Sequence, residues 1–342
     1  MKISLISFSK AGCRTGIKIA ESLKEQEIHQ YTKSAYTEDA EICHVEEKLN
    51  QWAEKQFYCN DALIFIGASG IAVRAIAPFV KSKKTDPAVV VLDEKGKFVI
   101  SLLSGHLGGA NELTASIAEI TGGIPVITTA TDINRKFAVD VFAKKNHCHI
   151  KDMVLAKEIS AAIVDGRKVR FKSDFPVKGE IPPELTGEKE ELCIYVTDRV
   201  PDKQEEKVLY LIPETIVLGV GCRKNTEKEQ IQNVVMEACR NEGISPFAFE
   251  KAASIDLKKE EQGLLLFTEE LSIPFITYTK EELEQVEGEF TESEFVKKVT
   301  GVSNVCERSA LAEGDTRLIM KKYAKDGVTA AFARKKWSVS FE

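Results

Sequence analysis

The sequence lacks closely spaced cysteines, long apolar runs and a large excess of either charge. Its eight cysteines are never closer than 16 positions apart, so no C-x-x-C zinc or redox pair is present. No window approaches the ~18 consecutive apolar residues that a membrane helix requires. The net charge of −6 argues against a surface devoted to nucleic acid. Scattered thiols and no recognisable leader predict a cytoplasmic protein in a reducing compartment.

Composition and length limit the number and kind of domains to expect. The 342 residues are 43% hydrophobic and 29% charged, which is ordinary globular composition. Such a length predicts two or three domains, each large enough to fold on apolar packing alone. We expect an N-terminal α/β domain with glycine-rich loops over 1–139, a middle domain and linker over 140–213, and a C-terminal α/β domain over 214–342.

Apolar strands alternate with amphipathic helices along most of the chain. Residues 62–66 and 88–92 are wholly apolar, and the sequence DEKG at 93–96 has the chemistry of a hairpin leading to a strand over 98–103. Strands this apolar predict a sheet that helices cover on both faces. The fold class is therefore multi-domain α/β, with an open N-terminal sheet, a small middle α/β region and a C-terminal α/β domain.

Four polar or glycine-rich segments follow predicted strands, at 67–70, 104–111, 128–132 and 219–226. Open α/β sheets bind ligands beyond the carboxyl ends of their strands, where helix N-termini present N–H groups. Glycine there allows the backbone to approach a ligand closely. Each segment taken alone is equally consistent with a simple turn, but four in one chain favour a ligand site. A nucleotide site is not indicated, because G-x-G-x-x-G and Walker A sequences are absent.

His106 is the strongest catalytic candidate, because imidazole titrates near neutrality and this residue lies in a polar, glycine-rich loop. The alternative is a turn histidine bonded to a backbone carbonyl. Glu112 and Asp132 are candidate acid–base groups, with helix capping as the alternative for both. Ser69, His106 and Asp132 are expected at one sheet edge, as a hydrolase triad requires, but the sequence around Ser69 is not the G-x-S-x-G elbow.

Two further patterns involve cysteine and histidine. Cys222 follows Gly221 at a predicted helix start, where the helix dipole and Arg223 would lower the pKa of the thiol; anion binding by this loop is the favoured alternative. His147 and His149 suggest a metal cluster, but no second ligand pair lies near them in the sequence. We therefore expect no metal site in the protein.

Several segments resemble the cobalt-precorrin-5A hydrolase family of anaerobic cobalamin biosynthesis. The resemblance extends in order over most of the chain, and only the middle region is weakly matched. The similar segments are FIGASGIAVR (65–74), KTDPAVVV (84–91), LSGHLGGAN (103–111), ITTATD (127–132), LGVGCR (218–223), ASIDLK (253–258) and TGVSNVCER (300–308).

The resemblance implies hydrolysis of the δ-lactone of cobalt-precorrin-5A with release of acetaldehyde, giving cobalt-precorrin-5B. Cobalt would arrive inside the substrate, so no cofactor is expected. Because a corrinoid carries many carboxylates, the cations and N–H-rich loops of the matched motifs are the expected contacts. The expected substrate-binding residues are Gly67, Ser69, Gly70, Arg74, Lys83, Lys84, Ser104, Gly105, Gly108, Gly109, Asn111, Thr129, Gly221, Cys222, Arg223, Lys258 and Arg308.

In this interpretation His106 or a nearby carboxylate activates water, and backbone amides of the glycine-rich turns stabilise the oxyanion. Glu112 or Asp132 assists the later C–C cleavage. The expected partner is the small-molecule corrinoid, with possible handover to other corrin-pathway enzymes and a possible homodimer, and without nucleic acid or membrane. A non-catalytic corrinoid carrier and a sugar-phosphate or nucleotide enzyme are the alternatives.

Overall fold

The computed structural model describes residues 1–35, 41–82, 85–106, 108–129, 133, 136–200 and 205–342, with Phe295 described by its backbone alone. This part of the chain divides into two compact units, Met1–Val141 and Phe142–Glu342. Across the described residues, no helix is both long enough and apolar enough to cross a membrane.

In the part of the first unit that the structure describes, the strands form one sheet with helices on either side. Its strands are β1 (Lys2–Ser7), β2 (Glu27–Thr32), β3 (Cys43–His44), β4 (Ala62–Ile66), β5 (Ala88–Leu92), β6 (Phe98–Leu103) and β7 (Ile124–Val126). Its helices include α1 (Lys10–Ser22), α2 (Leu49–Cys59), α3 (Ser69–Ile76), α4 (Ala110–Thr121) and α5 (Val139–Lys145), which contains the boundary between the units. The strand order is β3-β2-β1-β4-β5-β6-β7.

Two apolar cores hold this sheet, one on each face. On one face Ile64 packs with Ile19 of α1 and Ile117 of α4. On the other face Phe65 packs with Trp52 of α2, and their rings meet edge to face with centroids 5.9 Å apart. Side chains alternate along a strand, so a strand that is apolar throughout has a core to fill on both sides. The predicted two-sided cover is confirmed.

The turn after β5 is the predicted hairpin. The Asp93 carboxylate accepts hydrogen bonds from the backbone N–H groups of Lys95 at 2.9 Å and Phe98 at 2.7 Å. Gly96 has a φ of +68°, which a residue without a Cβ adopts at little cost. The chain therefore reverses, and β6 runs antiparallel to β5 while β7 runs parallel to β6.

This reversal separates two of the predicted ligand loops. Because β4 and β5 are parallel, the loop after β4 lies at their carboxyl ends, whereas the loop after β6 lies at their amino ends. The expectation that Ser69 and His106 share one sheet edge is therefore wrong. Asp132, the third member of that arrangement, lies outside the described residues.

The described residues of the second unit form three sheets. Its strands are β8 (Cys148–Ile150), β9 (Val169–Ser173), β10 (Val177–Lys178), β11 (Leu185–Thr186), β12 (Cys193–Val196), β13 (Val208–Pro213), β14 (Ile216–Cys222), β15 (Phe249–Ile255), β16 (Phe275–Tyr278), β17 (Thr316–Lys325), β18 (Val328–Lys335) and β19 (Val339–Ser340). The sheet orders are β11-β9-β12-β13-β8, β10-β19 and β16-β15-β14-β18-β17.

Helices of the second unit lie around the sheet β16-β15-β14-β18-β17 and beside the sheet β11-β9-β12-β13-β8. They are α6 (Met153–Val164), α7 (Lys228–Glu242), α8 (Gln262–Leu271), α9 (Lys280–Gln285), α10 (Glu294–Thr300) and α11 (Cys306–Leu311), with 3₁₀ turns at Pro246–Ala248 and Asp256–Lys258. Strands β14 and β15 are parallel, and β18 is antiparallel to β14. The carboxyl ends of β14 and β15 therefore meet the turn of the β17–β18 hairpin at one edge. The multi-domain α/β fold class is confirmed.

Candidate functional site

The loop between β6 and α4, residues 104–106 and 108–111, is called the His106 loop below. It is tied to neighbouring parts of the first unit by its polar side chains. The Ser104 hydroxyl donates to the carbonyl of Asp86 at 2.9 Å, and Asn111 accepts from the Ser101 hydroxyl at 2.6 Å and donates to the Thr129 hydroxyl at 3.2 Å. Asn111 is 7% exposed. These bonds fix the loop against the amino end of β5 and the segment after β7.

Glycine is required at two positions of the His106 loop. A Cβ on Gly105 would lie 2.6 Å from Oδ1 of Asn111, and a Cβ on Gly108 would lie 2.4 Å from Cβ of Ser104. Atoms do not approach this closely without displacement. The glycines of this segment therefore serve close packing of the loop on itself.

The imidazole of His106 lies against a carboxylate that sequence reasoning did not select. Its Nδ1 is 3.3 Å from Oδ1 of Asp140, and the two side chains are 14% and 11% exposed. The same Oδ1 accepts the backbone N–H of Val141 at 3.1 Å. An imidazole that lies close to a carboxylate is an arrangement that general-base catalysis commonly uses.

The backbone amides at the start of α4 are already bonded within the loop. The N–H groups of Gly109, Ala110 and Asn111 donate to the carbonyls of His106, Ser104 and Gly105, at 3.0, 3.2 and 3.0 Å. The expectation that the amides of this turn serve as oxyanion donors is therefore wrong for these three groups.

The other predicted residues of the first unit are spread more widely. Gly67, Ser69, Gly70 and Arg74 lie in the loop after β4 and on α3, which begins at the opposite sheet edge from the His106 loop. Glu112 lies in the first turn of α4 and is exposed. Lys83, Lys84 and Asp132 lie outside the described residues. The structure thus brings together Ser104, Gly105, His106, Gly108, Gly109, Asn111 and Thr129.

The second unit has a cleft of about 1630 Å³ at the edge where β14, β15 and the β17–β18 turn meet. Four predicted substrate-binding residues, Gly221, Cys222, Arg223 and Lys258, line it. The cleft is also lined by Lys322, which sequence reasoning missed because it is one lysine among several on a two-sided strand. A cleft of this size can accept part of a large ligand.

The cations of this cleft differ in how they are paired. Nζ of Lys258 is 3.0 Å from Glu261 Oε2, and Nζ of Lys325 is 2.7 Å from Glu237 Oε2. Within the residues that the structure describes, no carboxylate lies at ion-pair distance from Arg223 or Lys322. These two charges are available to an anionic ligand at lower cost than the paired ones.

Cys222 is not at a helix start. It is the last residue of β14, and α7 begins at Lys228 after the N-cap residue Glu227. Burial raises the pKa of the Cys222 thiol, and the nearby Lys258 ammonium opposes this without reversing it. The expected lowering of this pKa is therefore wrong, because burial of the thiol outweighs the nearby positive charge and the helix does not begin at Cys222.

We predict that Cys222 is a slow nucleophile at neutral pH. A raised thiol pKa leaves less thiolate at pH 7, and the thiolate fraction grows as the pH rises towards that pKa. Iodoacetamide should alkylate the exposed Cys43 and Cys59 well before Cys222, as measured by peptide mass spectrometry. The difference in alkylation rate should narrow above pH 9. Preferential labelling of Cys222 at pH 7 would contradict this.

Arg308 is held by backbone groups near α9. Its Nη1 donates to the carbonyls of Leu283 at 2.8 Å and Val286 at 2.9 Å, and its guanidinium lies 4.2 Å from the ring centre of Phe290. Its contacts are those of a residue that holds the chain after α9. Substrate binding by Arg308 has no support from its contacts.

The possible histidine cluster does not form. His147 precedes β8 with a φ of +48°, and the ring of His149 stacks on Phe247 with centroids 4.0 Å apart. Among the residues that the structure describes, no three His, Cys, Asp or Glu side chains are grouped so as to hold a metal ion.

Three family models match the chain in consecutive segments. They are described as "Cobalamin synthesis G N-terminal" over residues 51–132, "Cobalamin biosynthesis central region" over 137–213 and "Cobalamin synthesis G C-terminus" over 216–333. The matches include both the His106 loop and the second-unit cleft.

Curated relatives share this similarity over most of their length. A cobalt-precorrin-5A hydrolase of Salmonella typhimurium is 36% identical over 81% of this chain and 83% of the relative. A cobalt-precorrin-5A hydrolase of Priestia megaterium is 30% identical over 93% of this chain and 91% of the relative. A cobalamin biosynthesis protein G homolog from Sulfolobus solfataricus, known from a crystal structure, is 24% identical to this chain in sequence. The structural alignment covers 97% of each chain and has a TM-score of 0.42.

Proposed function

The chain belongs to the cobalt-precorrin-5A hydrolase family, and on this basis we propose that it opens the δ-lactone of cobalt-precorrin-5A with water and releases acetaldehyde, giving cobalt-precorrin-5B. The observation that carries this function is the 36% identity to a curated hydrolase across 81% of the chain. The substrate is a small-molecule corrinoid, and its cobalt enters and leaves with it.

The reaction needs a base for its first step. We propose that His106 takes a proton from water as the water oxygen attacks the lactone carbonyl. The C–O bond of the lactone then breaks as His106 gives this proton to the departing oxygen, which leaves a carboxylic acid, ionised at neutral pH, and an alcohol on the two-carbon substituent. The partial burial of the imidazole and its contact with Asp140 support this role.

The second step releases acetaldehyde. Loss of the alcohol proton forms a C=O bond as the C–C bond to the macrocycle breaks, and the conjugated macrocycle takes up the electron pair and then a proton. Glu112 and Asp132 remain candidates for assisting this step. Glu112 is exposed on the first turn of α4, where a bound substrate can reach it.

A direct assay tests the function. Purified protein is incubated anaerobically with cobalt-precorrin-5A, and acetaldehyde is measured with a coupled NADH-dependent dehydrogenase. One equivalent of acetaldehyde per corrinoid is expected, and heat-denatured protein should release none. Tight corrinoid binding without acetaldehyde would contradict the proposal and indicate a carrier.

We propose that the second-unit cleft receives carboxylates of the corrinoid through Arg223 and Lys322. Both line the cleft and neither has a carboxylate at ion-pair distance among the described residues. A guanidinium and an ammonium bind carboxylates in different geometries, so the two need not be equivalent. Gly221, Cys222 and Lys258 line the same cleft and belong to the proposed binding surface.

Removing either charge should weaken binding more than turnover. Arg223→Gln and Lys322→Gln are each expected to raise KM roughly three- to tenfold, about 0.6–1.4 kcal/mol, with kcat within twofold. Lys297→Gln, an exposed lysine on α10, is the matched control and should leave KM unchanged. Equal KM values in all three variants and the unmodified protein would contradict a role of this cleft.

The remaining expectations concern the protein's surroundings. We propose that the enzyme works in the reducing cytoplasm, needs no cofactor of its own, and passes its product to a later corrin-pathway enzyme. All eight cysteines are free, which supports the first of these. Sedimentation of the purified chain tests the predicted homodimer.

A further inference from the structure

The contact between His106 and Asp140 links two parts of the first unit that are far apart in sequence. His106 lies in the loop after β6, and Asp140 lies in the first turn of α5. Their closest atoms are Nδ1 and Oδ1, at 3.3 Å. Both residues belong to the same compact unit.

Both side chains of this contact are largely buried, and this strengthens the electrostatic interaction between them. The carboxylate is 11% exposed and the imidazole 14% exposed, so water screens their interaction less than it would at the surface. A carboxylate that accepts the Nδ1–H of a neutral imidazole leaves the lone pair on Nε2. The carboxylate thereby determines which ring nitrogen acts as the base.

We propose that Asp140 is the positioning residue for His106, holding its imidazole in the Nδ1–H tautomer so that Nε2 takes the proton from water. This inference deepens the proposed function and rests on it for the identity of the reaction. Asp140 does not contact the substrate in this role. It also stabilises the imidazolium that forms when Nε2 accepts the proton.

A structural role for Asp140 is the competing explanation, because its Oδ1 also accepts the backbone N–H of Val141 at the start of α5. Both contacts use Oδ1, so an asparagine that turned its amide nitrogen towards Nδ1 would also lose the bond from Val141. Asp140→Asn keeps the shape of the side chain but removes the negative charge that favours a proton on Nδ1. A purely structural role predicts that this variant lowers Tm without moving the His106 proton, whereas a positioning role predicts that the proton moves.

The first test reads the tautomer directly and does not require activity. Nitrogen-15 chemical shifts of the histidine rings are recorded on the full chain, with His106→Gln used to assign the signal. The unmodified protein should show His106 with the proton on Nδ1 in its neutral form. Asp140→Asn should move the population towards the Nε2–H form, and Glu119→Gln, an exposed carboxylate on α4, should leave it unchanged.

The second test is kinetic. Asp140→Asn should lower kcat by at least tenfold, and by no more than His106→Ala does, with KM within twofold. The double variant should be no slower than His106→Ala alone, because a positioning residue has no effect once its partner is gone. Glu119→Gln should retain the kcat of the unmodified protein.

Two results would overturn the inference. One is a neutral His106 that carries its proton on Nε2 in the unmodified protein. The other is a double variant whose losses simply multiply, which would mean that Asp140 acts without His106. If the unmodified protein releases no acetaldehyde, the proposed function fails, while the nitrogen-15 measurement still decides whether Asp140 sets the tautomer.

Discussion

Replacing His106 with alanine is expected to slow acetaldehyde release by about 10²- to 10⁴-fold, the usual contribution of a positioned general base. The imidazole is the group in the His106 loop that can accept a proton near neutral pH, and Oδ1 of Asp140 lies 3.3 Å from its Nδ1. The loss should appear in kcat, with KM changed little, because the imidazole acts on water rather than on the corrinoid. Single-turnover measurement of acetaldehyde under anaerobic conditions provides the rate.

His29→Ala is the matched control for this variant. His29 lies on β2 of the same unit, is exposed, and pairs with Glu27 at 2.9 Å. Its removal should leave turnover unchanged. A His106→Ala variant that keeps its fold by circular dichroism and loses less than about thirtyfold, or ~2 kcal/mol of barrier reduction, would remove the proposed role.

Replacing Gly219 with alanine is expected to destabilise the second unit severely. A Cβ at this position would lie 1.8 Å from the carbonyl oxygen of Cys306 and 2.9 Å from Cβ of Ala310. Strand β14 is central in its sheet and α11 packs directly on it, so neither backbone can withdraw without breaking other contacts. We expect a loss on the order of 3 kcal/mol or more, since overpacking a rigid core costs about 1–3 kcal/mol even where side chains can adjust.

Thermal unfolding measures this effect. A loss of that size corresponds to a fall in Tm of roughly 6–12 °C for a unit of this length. Gly187→Ala in the same unit is the control, because a Cβ there meets no atom within 4 Å. Equal Tm values for the two variants would show that α11 does not press on β14 as closely as described.

The sequence was most informative where one physical requirement dominated. Wholly apolar stretches predicted β4 and β5 within their observed bounds, and the Asp93–Gly96 turn was recognised because it needs a positive φ. The family was identified from motifs that the comparisons confirm. Strand β2 was missed because its side chains are mostly polar and only partly buried.

The site was less predictable because it depends on tertiary arrangement. The hairpin that the sequence indicated also reverses β6, and this moves His106 to the sheet edge opposite Ser69. Asp140 lies 34 positions after His106 along the chain, beside a predicted domain boundary, and nothing local marks it as a partner. The misplaced helix start near Cys222 reversed the expected direction of its pKa shift.

The hydrogen bonds within the His106 loop bear on how the substrate meets the enzyme. Because Gly109, Ala110 and Asn111 donate to carbonyls of the same loop, its shape is set when the first unit folds. The conformational entropy of ordering this segment is then lost during folding and not during binding. Under the proposed function, we expect corrinoid association at this loop to be limited by encounter and desolvation, with no slow ordering of the segment beforehand.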